Sequence, residues 1–289
     1  MTDQQKEAVF HFSWIGCLFL ALKGALIGTG AILPGISGGV LCVALGVYQP
    51  MMALLAHPVQ QLKQRWLYFL PILIGFALGV VGLSRVVDWL FRASPVPAVW
   101  LFIGLILGTM PSLWRESGRE GRTGGSWVAL FIAFAVMLTA LLLLKSAGTM
   151  QLTHTPWLWA LCGVLWAVGF IAPGMSPSSL FIFMGVYQPM SAGIARLDMG
   201  ILLPMGAGLV LGVLLLSRVM GWLLAKHHSL TMHAILGVSI ASTVAIVPLG
   251  AATSLTDALL YALCCMVGLL VALWMDKANQ KMEERGQKT

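Results

Sequence analysis

The sequence predicts an all-α polytopic membrane protein made of two inverted-topology repeats, each with a PG-containing re-entrant helical hairpin and about three transmembrane helices. Of its 289 residues, 59% are hydrophobic and only 9% are charged, whereas about 25% of residues in a soluble domain are charged. The 32 glycines and 13 prolines are scattered through apolar segments, which is typical of closely packed or broken membrane helices. A long internal duplication supplies the third observation.

The apolar segments divide between two halves of the chain. The first repeat covers 1–150, with a hairpin at 12–55 and helices at 66–91, 96–113 and 126–146. The second covers 151–289, with a hairpin at 157–192, helices at 200–225, 230–249 and 255–276, and a short tail. About 20 helical residues cross a bilayer core, so six segments are predicted to span it.

The hairpin prediction depends on two segments, 157–172 and 177–192, that are too short to cross comfortably. A Pro-Gly-Met-Ser-Pro turn joins them. Irregular backbone at membrane depth is tolerated only where protein buries it or water reaches it. The pair is therefore predicted to enter and leave the membrane on one side.

The duplication is specific. Residues 34–51, PGISGGVLCVALGVYQPM, align without gaps on 173–190, PGMSPSSLFIFMGVYQPM, with 10 identities in 18 positions. Residues 70–90 align on 203–223 with 12 identities in 21, including a Ser-Arg pair and a tryptophan. Chance matching of Leu and Val in apolar sequence does not produce Gly-Val-Tyr-Gln-Pro-Met twice.

The distribution of positive charge decides the relative orientation of the repeats. If each PG pair returns to its own side, the N-terminal side receives 11 Lys and Arg residues and the opposite side 3. If each pair were one broken crossing, the division would be 8 to 6. Only the first division obeys the positive-inside rule. Inverted repeats with both termini in the cytoplasm are therefore predicted, in a bacterial inner membrane.

Several function classes are excluded by composition and motif. The formal charge of +7 comes from basic residues between apolar blocks, which indicates membrane-side anchoring and no nucleic-acid partner. The five cysteines fit no disulfide or metal pattern, and the histidines lack metal-ligand spacing. No P-loop, nucleophile elbow or paired carboxylates occur. The protein is predicted to be no enzyme and to need no cofactor.

The two PG turns are candidate anion sites. Backbone N–H groups at the start of the helix after each turn attract an anion in a low dielectric. The alternative is that these small residues serve only as hinges and packing surfaces. The candidate residues at the two turns are Pro34, Gly35, Ser37, Gly38 and Gly39, and Gly174, Ser176, Ser178 and Ser179.

Three cations lie inside apolar segments, where an ionisable side chain is costly and indicates function. Lys23 is near mid-depth, and its repeat counterpart is Cys162. Arg85 and Arg218 are equivalent positions, so inversion directs one toward each face. The alternatives are an ion pair between Arg85 and Asp88 at i+3, or snorkelling of both arginines.

The motifs KGALIGTGAILPGISGG and APGMSPSSLFIFMGVYQP together resemble the PopT-type polyprenyl-phosphate transporter family of prokaryotes. The resemblance covers nearly the whole chain. It implies two re-entrant hairpins and recycling of undecaprenyl phosphate from the outer to the inner leaflet. The family pattern falls on Lys23, Pro34, Gly35, Ser37, Gly38, Gly39 and Tyr48, and on Pro173, Gly174, Ser176 and Tyr187.

The predicted function is therefore a flippase or transporter of a polyprenyl phosphate lipid that works by alternating access among membrane lipids. The alternatives are a carrier of a small soluble anion such as phosphate or sulfate, an integral-membrane lipid phosphatase, and a structural scaffold. The sequence leaves open whether a proton or sodium ion drives transport and whether the chain forms a homo-oligomer.

Overall fold

The helical architecture follows from the need to satisfy every backbone N–H and C=O without water. In the computed structural model, which describes residues 14–33, 41–42, 45–47, 50–51, 54, 58–146, 155–171 and 177–286, the chain is helical and contains no strand. The all-α prediction is confirmed for these residues.

The described part of the first repeat contributes four helices. They are α1 (Trp14–Ile32), α2 (Pro58–Ala93), α3 (Pro95–Ser117) and α4 (Gly124–Ser146). Helix α2 is longer than the predicted segment 66–91 and bends at Arg65, whose φ of −131° and ψ of 30° are not helical. The predicted membrane span thus begins just after a bend.

The described part of the second repeat contributes six helices. They are α5 (Pro156–Ile171), α6 (Ser178–Phe183), α7 (Tyr187–Arg196), α8 (Met199–Lys226), α9 (His228–Ile246) and α10 (Leu255–Gly286). The segment 177–192, treated above as one apolar stretch, is divided into α6 and α7.

Six helices among the described residues are long and apolar enough to cross a membrane, namely α2, α3, α4, α8, α9 and α10. Helices α3 and α9 are the most enclosed, whereas α10 has only 11% of its apolar window buried. Exposed side chains such as Leu214, Phe131 and Leu270 form an apolar outer surface. The protein is therefore a multi-pass membrane protein with a central helix pair and a lipid-facing periphery.

Four helix pairs make the most extensive contacts: α1 with α2, α5 with α8, α3 with α10, and α4 with α9. The aligned ranges 70–90 and 203–223 make α2 correspond to α8, and the order of helices along the chain then makes α1 correspond to α5 and α3 to α9. The same pairs therefore occur in both repeats. The last helix of each repeat packs against a helix of the other repeat: α10 packs on α3, and α4 packs on α9.

Glycines allow two of these pairs to approach backbone to backbone. A Cβ at Gly75 would collide with the carbonyl oxygen of Ala21 on α1, and a Cβ at Gly208 would collide with that of Ala160 on α5. Gly24 and its counterpart Gly163 face the partner helices in the same way. The crossing of α1 with α2 is thus repeated between α5 and α8.

One end of the bundle is joined by an ion pair and by a hydrogen bond to a histidine. Arg115 in the last turn of α3 donates to Asp276 of α10 at 2.6 Å. Glu116 lies 3.2 Å from Nε2 of His228, at the start of α9. These contacts bring together the end of α3, the start of α9 and the C-terminal part of α10.

We predict that Gly75→Ala and Gly208→Ala each lower the stability of the folded protein by about 1–3 kcal/mol, because a methyl group must enter a closely packed crossing. Thermal unfolding in detergent should show both losses. The matched controls are Gly82→Ala on α2 and Gly206→Ala on α8, where an added Cβ meets no atom within 4 Å. Equal melting temperatures for variants and controls would contradict the close crossing.

Candidate functional site

Of the 14 predicted binding residues, the structure describes six: Lys23, Arg85, Ser178, Ser179, Tyr187 and Arg218. The others lie outside the described residues, namely Pro34, Gly35, Ser37, Gly38, Gly39, Tyr48, Gly174 and Ser176. Pro173 also lies outside them. The role of the two PG turns therefore stays a prediction, and the site is built from the residues around them.

Lys23 lies half-buried on α1, one residue before the glycine that contacts α2. Its Nζ donates a hydrogen bond of 2.7 Å to the carbonyl oxygen of Leu45. Within the described part of the chain no carboxylate forms an ion pair with this ammonium group. A lysine carries three donors, so the carbonyl occupies one of them and leaves the positive charge without a counter-ion.

The Gly-Val-Tyr motif forms the same turn in both repeats. Gly46 and Gly185 have φ of 68° and 69°, in the left-handed region. Val47 N donates to Cys42 O at 2.9 Å, and Val186 N donates to Phe181 O at 3.0 Å. This six-to-one bond around a left-handed glycine is a Schellman helix end. In the second repeat this turn separates α6, which ends at Phe183, from α7, which begins at Tyr187.

Tyr187 connects the two repeats. Its hydroxyl donates a 2.7 Å hydrogen bond to the carbonyl oxygen of Ile32, at the end of α1. Its buried ring packs edge-on against Phe102, with ring centres 5.3 Å apart, and lies 5.8 Å from Phe91. The predicted binding residue is thus part of the core between the repeats, and its hydroxyl is committed to the protein.

Ser178 and Ser179 open α6 and are both buried. The hydroxyl of Ser179 lies 2.7 Å from that of Ser242 on α9. Because Ser242 donates to Ser239 O at 3.1 Å, Ser179 is the donor in the pair. Ser242 was not among the residues predicted from the sequence, although Ser239, Ser242 and Thr243 form a polar cluster in the second half of α9.

Arg85 lies at the edge of an open cavity of about 580 Å³ between α2 and the end of α7. Its Nε donates to the carbonyl oxygen of Ala195 at 3.3 Å. The cavity is lined by Arg85, Asp88, Trp89, Arg92, Ala195 and Arg196. We call this cavity the arginine pocket. Arg92 and Arg196 are two of the three cations that the charge distribution predicts on the side opposite the N-terminus, and the sequence does not predict that they share a site.

The ion pair considered for Arg85 is formed by another arginine. Asp88 accepts a 2.9 Å hydrogen bond from Nε of Arg92, one helical turn further on. Gln188 Nε2 approaches the same carboxylate oxygen at 3.5 Å. Arg85 therefore keeps its charge uncompensated by Asp88, and the local ion pair does not explain its presence in an apolar segment.

Arg218 is not brought into an equivalent site by the described residues. It is exposed on α8 and forms no hydrogen bond or ion pair with the part of the chain that the structure describes. The counterpart of α7 in the first repeat, 48–57, is described only at 50–51 and 54. A second basic pocket at Arg218 stays a prediction.

His233 is fully buried, with Nδ1 2.7 Å from Ser229 O and no partner at Nε2 among the described residues. No group of three His, Cys, Asp or Glu residues is placed to hold a metal ion in the described ranges. Among the described residues, the charged groups that line the arginine pocket are Arg85, Arg92, Arg196 and Asp88.

Comparison with known proteins shows the family of this chain. A family model described as undecaprenyl phosphate translocase-like matches residues 7–120 and 59–260. The chain belongs to that family. It is 25% identical over 286 residues to a polyprenyl-phosphate transporter of Staphylococcus aureus, which covers 94% of this chain and 99% of that protein.

A second relative comes from another bacterium. The chain is 24% identical over 225 residues to a polyprenyl-phosphate transporter of Vibrio cholerae, covering 73% of this chain and 71% of that protein. No solved structure matches the chain. The family resemblance drawn from the duplicated motifs is confirmed by these matches.

We predict that Tyr187→Phe lowers the melting temperature, with a loss of about 1–3 kcal/mol, because it leaves the buried Ile32 carbonyl at a helix end without its donor. Thermal unfolding of the purified protein measures the loss. Tyr261→Phe is the control, since the Tyr261 hydroxyl lies 3.5 Å from Ala251 O, too far for a strong bond. A loss no larger than that of the control would show that the Tyr187 bond contributes nothing.

Proposed function

We propose that this protein transports the polyprenyl phosphate undecaprenyl phosphate from the outer to the inner leaflet of the bacterial cytoplasmic membrane. The observation that carries the proposal is a family match over most of the chain, joined to Lys23 and Arg85, which have no counter-ion among the described residues and donate to backbone carbonyls. Such cations are costly in a membrane unless they receive an anion. The lipid phosphate is that anion.

The proposed orientation has both termini in the cytoplasm. The distribution of Lys and Arg supports it, as does the cluster at one end of the bundle that joins Arg115 to Asp276. The arginine pocket, formed by the ends of α2 and α7, then faces the outer leaflet. Inverted repeats with broken helices are the usual architecture of transporters that alternate between two faces.

In the proposed mechanism the PG turns hold the phosphate through backbone N–H groups, and Lys23 neutralises part of its charge. The Leu45 carbonyl holds the Lys23 ammonium in place at 2.7 Å and leaves two N–H donors for the phosphate. The prenyl chain stays in lipid along an opening between helices. A proton or sodium gradient drives the return of the unloaded carrier.

The test of this function is translocation of a fluorescent short-chain polyprenyl phosphate in vesicles that contain the purified protein. Wild type is expected to speed movement between leaflets, and Lys23→Met to slow it about 10-fold or more through loss of a charge-assisted contact. Lys63→Met, at an exposed position near the start of α2, is the control and should transport normally.

Two further readouts separate the competing functions. Competition by undecaprenyl phosphate but not by inorganic phosphate is expected, and the reverse result would indicate a carrier of a soluble anion. Release of inorganic phosphate from the lipid would instead indicate a phosphatase. Transport that is independent of the protein would refute the proposal.

The arginines are proposed to act at opposite faces. Arg85→Ala should weaken capture from the outer leaflet, and Arg218→Ala should impair release on the cytoplasmic side. Each alanine variant loses a charge-assisted hydrogen bond to the ligand in one conformational state. The loss weakens binding in that state by about 1–3 kcal/mol, or about 5- to 150-fold. Vesicles loaded with lipid in one leaflet at a time measure the two steps separately.

The control for this pair is replacement by lysine. Simple snorkelling predicts that Arg85→Lys and Arg218→Lys are fully active and that alanine changes only expression. If the two alanine variants affect the opposite leaflets from those expected, the proposed orientation is wrong. If both transport normally per folded molecule, the arginines are not gates.

A further inference from the structure

We propose that the arginine pocket selects a phosphomonoester headgroup, which carries nearly two negative charges, over the singly charged phosphodiesters of ordinary phospholipids. This inference rests on the proposed function and adds to it a basis for specificity. A carrier of a scarce lipid phosphate must reject the phosphodiester lipids that surround it in large excess. The pocket offers a way to do so by charge.

The charges at the pocket give the first step. Three guanidinium groups, those of Arg85, Arg92 and Arg196, and one carboxylate, that of Asp88, line the cavity. The only ion pair among them in the described residues joins Arg92 to Asp88. Arg85 and Arg196 therefore retain two positive charges without a counter-ion.

The donor count gives the second step. Arg85 uses Nε for the Ala195 carbonyl, so its two terminal nitrogens keep four N–H donors. Arg196 is the last residue of α7, is exposed, and makes no hydrogen bond or ion pair with any described residue. Both guanidinium groups are therefore available for an oxygen-rich anion at one cavity.

The ligand class follows from matching these charges. A phosphomonoester carries about −1.5 to −2 at pH 7 and presents three acceptor oxygens. It therefore compensates both free arginines and offers each an oxygen for paired N–H contacts. A phosphodiester has one charge and only two such oxygens, so it leaves one arginine uncompensated. The difference favours the monoester.

The lipid side of the pocket is supplied by Trp89. This tryptophan is exposed on the same helix as Arg85 and Arg92, and it lines the same open cavity. An indole ring has an apolar body suited to the boundary between hydrocarbon and headgroups. It lies where the first isoprene units of a bound lipid would leave the pocket.

Asp88 sets the charge that the pocket accepts. Its carboxylate accepts a 2.9 Å hydrogen bond from Nε of Arg92 and compensates that guanidinium group. The number of uncompensated positive charges at the pocket is thereby reduced from three to two. Without that carboxylate the pocket would match a more negative headgroup such as a diphosphate. Asp88 is therefore a specificity-determining residue in this proposal, although its own charge repels the ligand.

The experiment measures binding of farnesyl monophosphate, its methyl ester, farnesyl diphosphate and inorganic phosphate to the purified full chain. The three prenyl probes share one hydrocarbon chain and differ in headgroup. Wild type is expected to bind the monophosphate about 10-fold or more tightly than the methyl ester, since one charge-assisted contact is worth about that much.

Variants assign this preference to the pocket. Arg196→Gln and Arg85→Gln should each reduce the ratio between monophosphate and methyl ester to about 3-fold or less. Arg119→Gln is the control, because Arg119 is an exposed arginine that does not line the pocket and pairs with Glu116. This variant should keep the wild-type ratio. Asp88→Asn should act in the opposite direction and raise the affinity for the diphosphate relative to the monophosphate about 5-fold.

The outcomes distinguish this inference from the function beneath it. Selection by charge is refuted if wild type binds the monophosphate and the methyl ester equally tightly. It is also refuted if both glutamine variants keep the wild-type ratio of the two affinities. Neither result contradicts the proposed transport function. If inorganic phosphate binds as tightly as farnesyl monophosphate, the lipid is not the ligand and the proposed function fails. A gain with Asp88→Asn cannot arise from misfolding, so it supports the pocket even if one glutamine variant is unstable.

Discussion

The close crossing of α1 with α2, repeated between α5 and α8, is the contact on which the rest of the protein depends. In a bilayer the apolar effect does not bring helices together, so close packing and internal hydrogen bonds must do so. Gly24 and Gly75 let two backbones approach until a Cβ would collide with a carbonyl oxygen. Lys23, next to Gly24, is thereby held where its ammonium meets the Leu45 carbonyl.

The second constraint comes from buried polar groups that form hydrogen bonds across the centre of the bundle. Tyr187 pairs with the Ile32 carbonyl, and Ser179 pairs with Ser242. Both bonds join elements far apart in the sequence, and the first joins the two repeats. In a low dielectric a lost partner is costly, so these bonds fix how the short helices α6 and α7 sit in the bundle.

The repeats keep the scaffold and differ in their charges. Glycines at the crossings and the Gly46 and Gly185 turns are present in both halves. Lys23 has Cys162 as its counterpart, whereas Asp88 has Gly221 and Arg196 has His57. The glycines are duplicated because both crossings need close approach. Lys23, Asp88 and Arg196 thus occur in one repeat each, whereas Arg85 and Arg218 are a charge that both repeats keep.

The sequence by itself determined the membrane class, the six spans, the duplication and the family, because each depends on local composition or on motifs that are copied along the chain. It also singled out Lys23, Arg85 and Tyr187. It could not show that α4 and α10 each pack against the other repeat, that Asp88 pairs with Arg92, or that the Tyr187 hydroxyl bonds the Ile32 carbonyl. Those partners are distant in sequence or compete for one group, and only packing in three dimensions decides between them. The arginine pocket is the clearest case, since Arg85 and Arg196 are brought to one cavity only by the contact of α2 with α7.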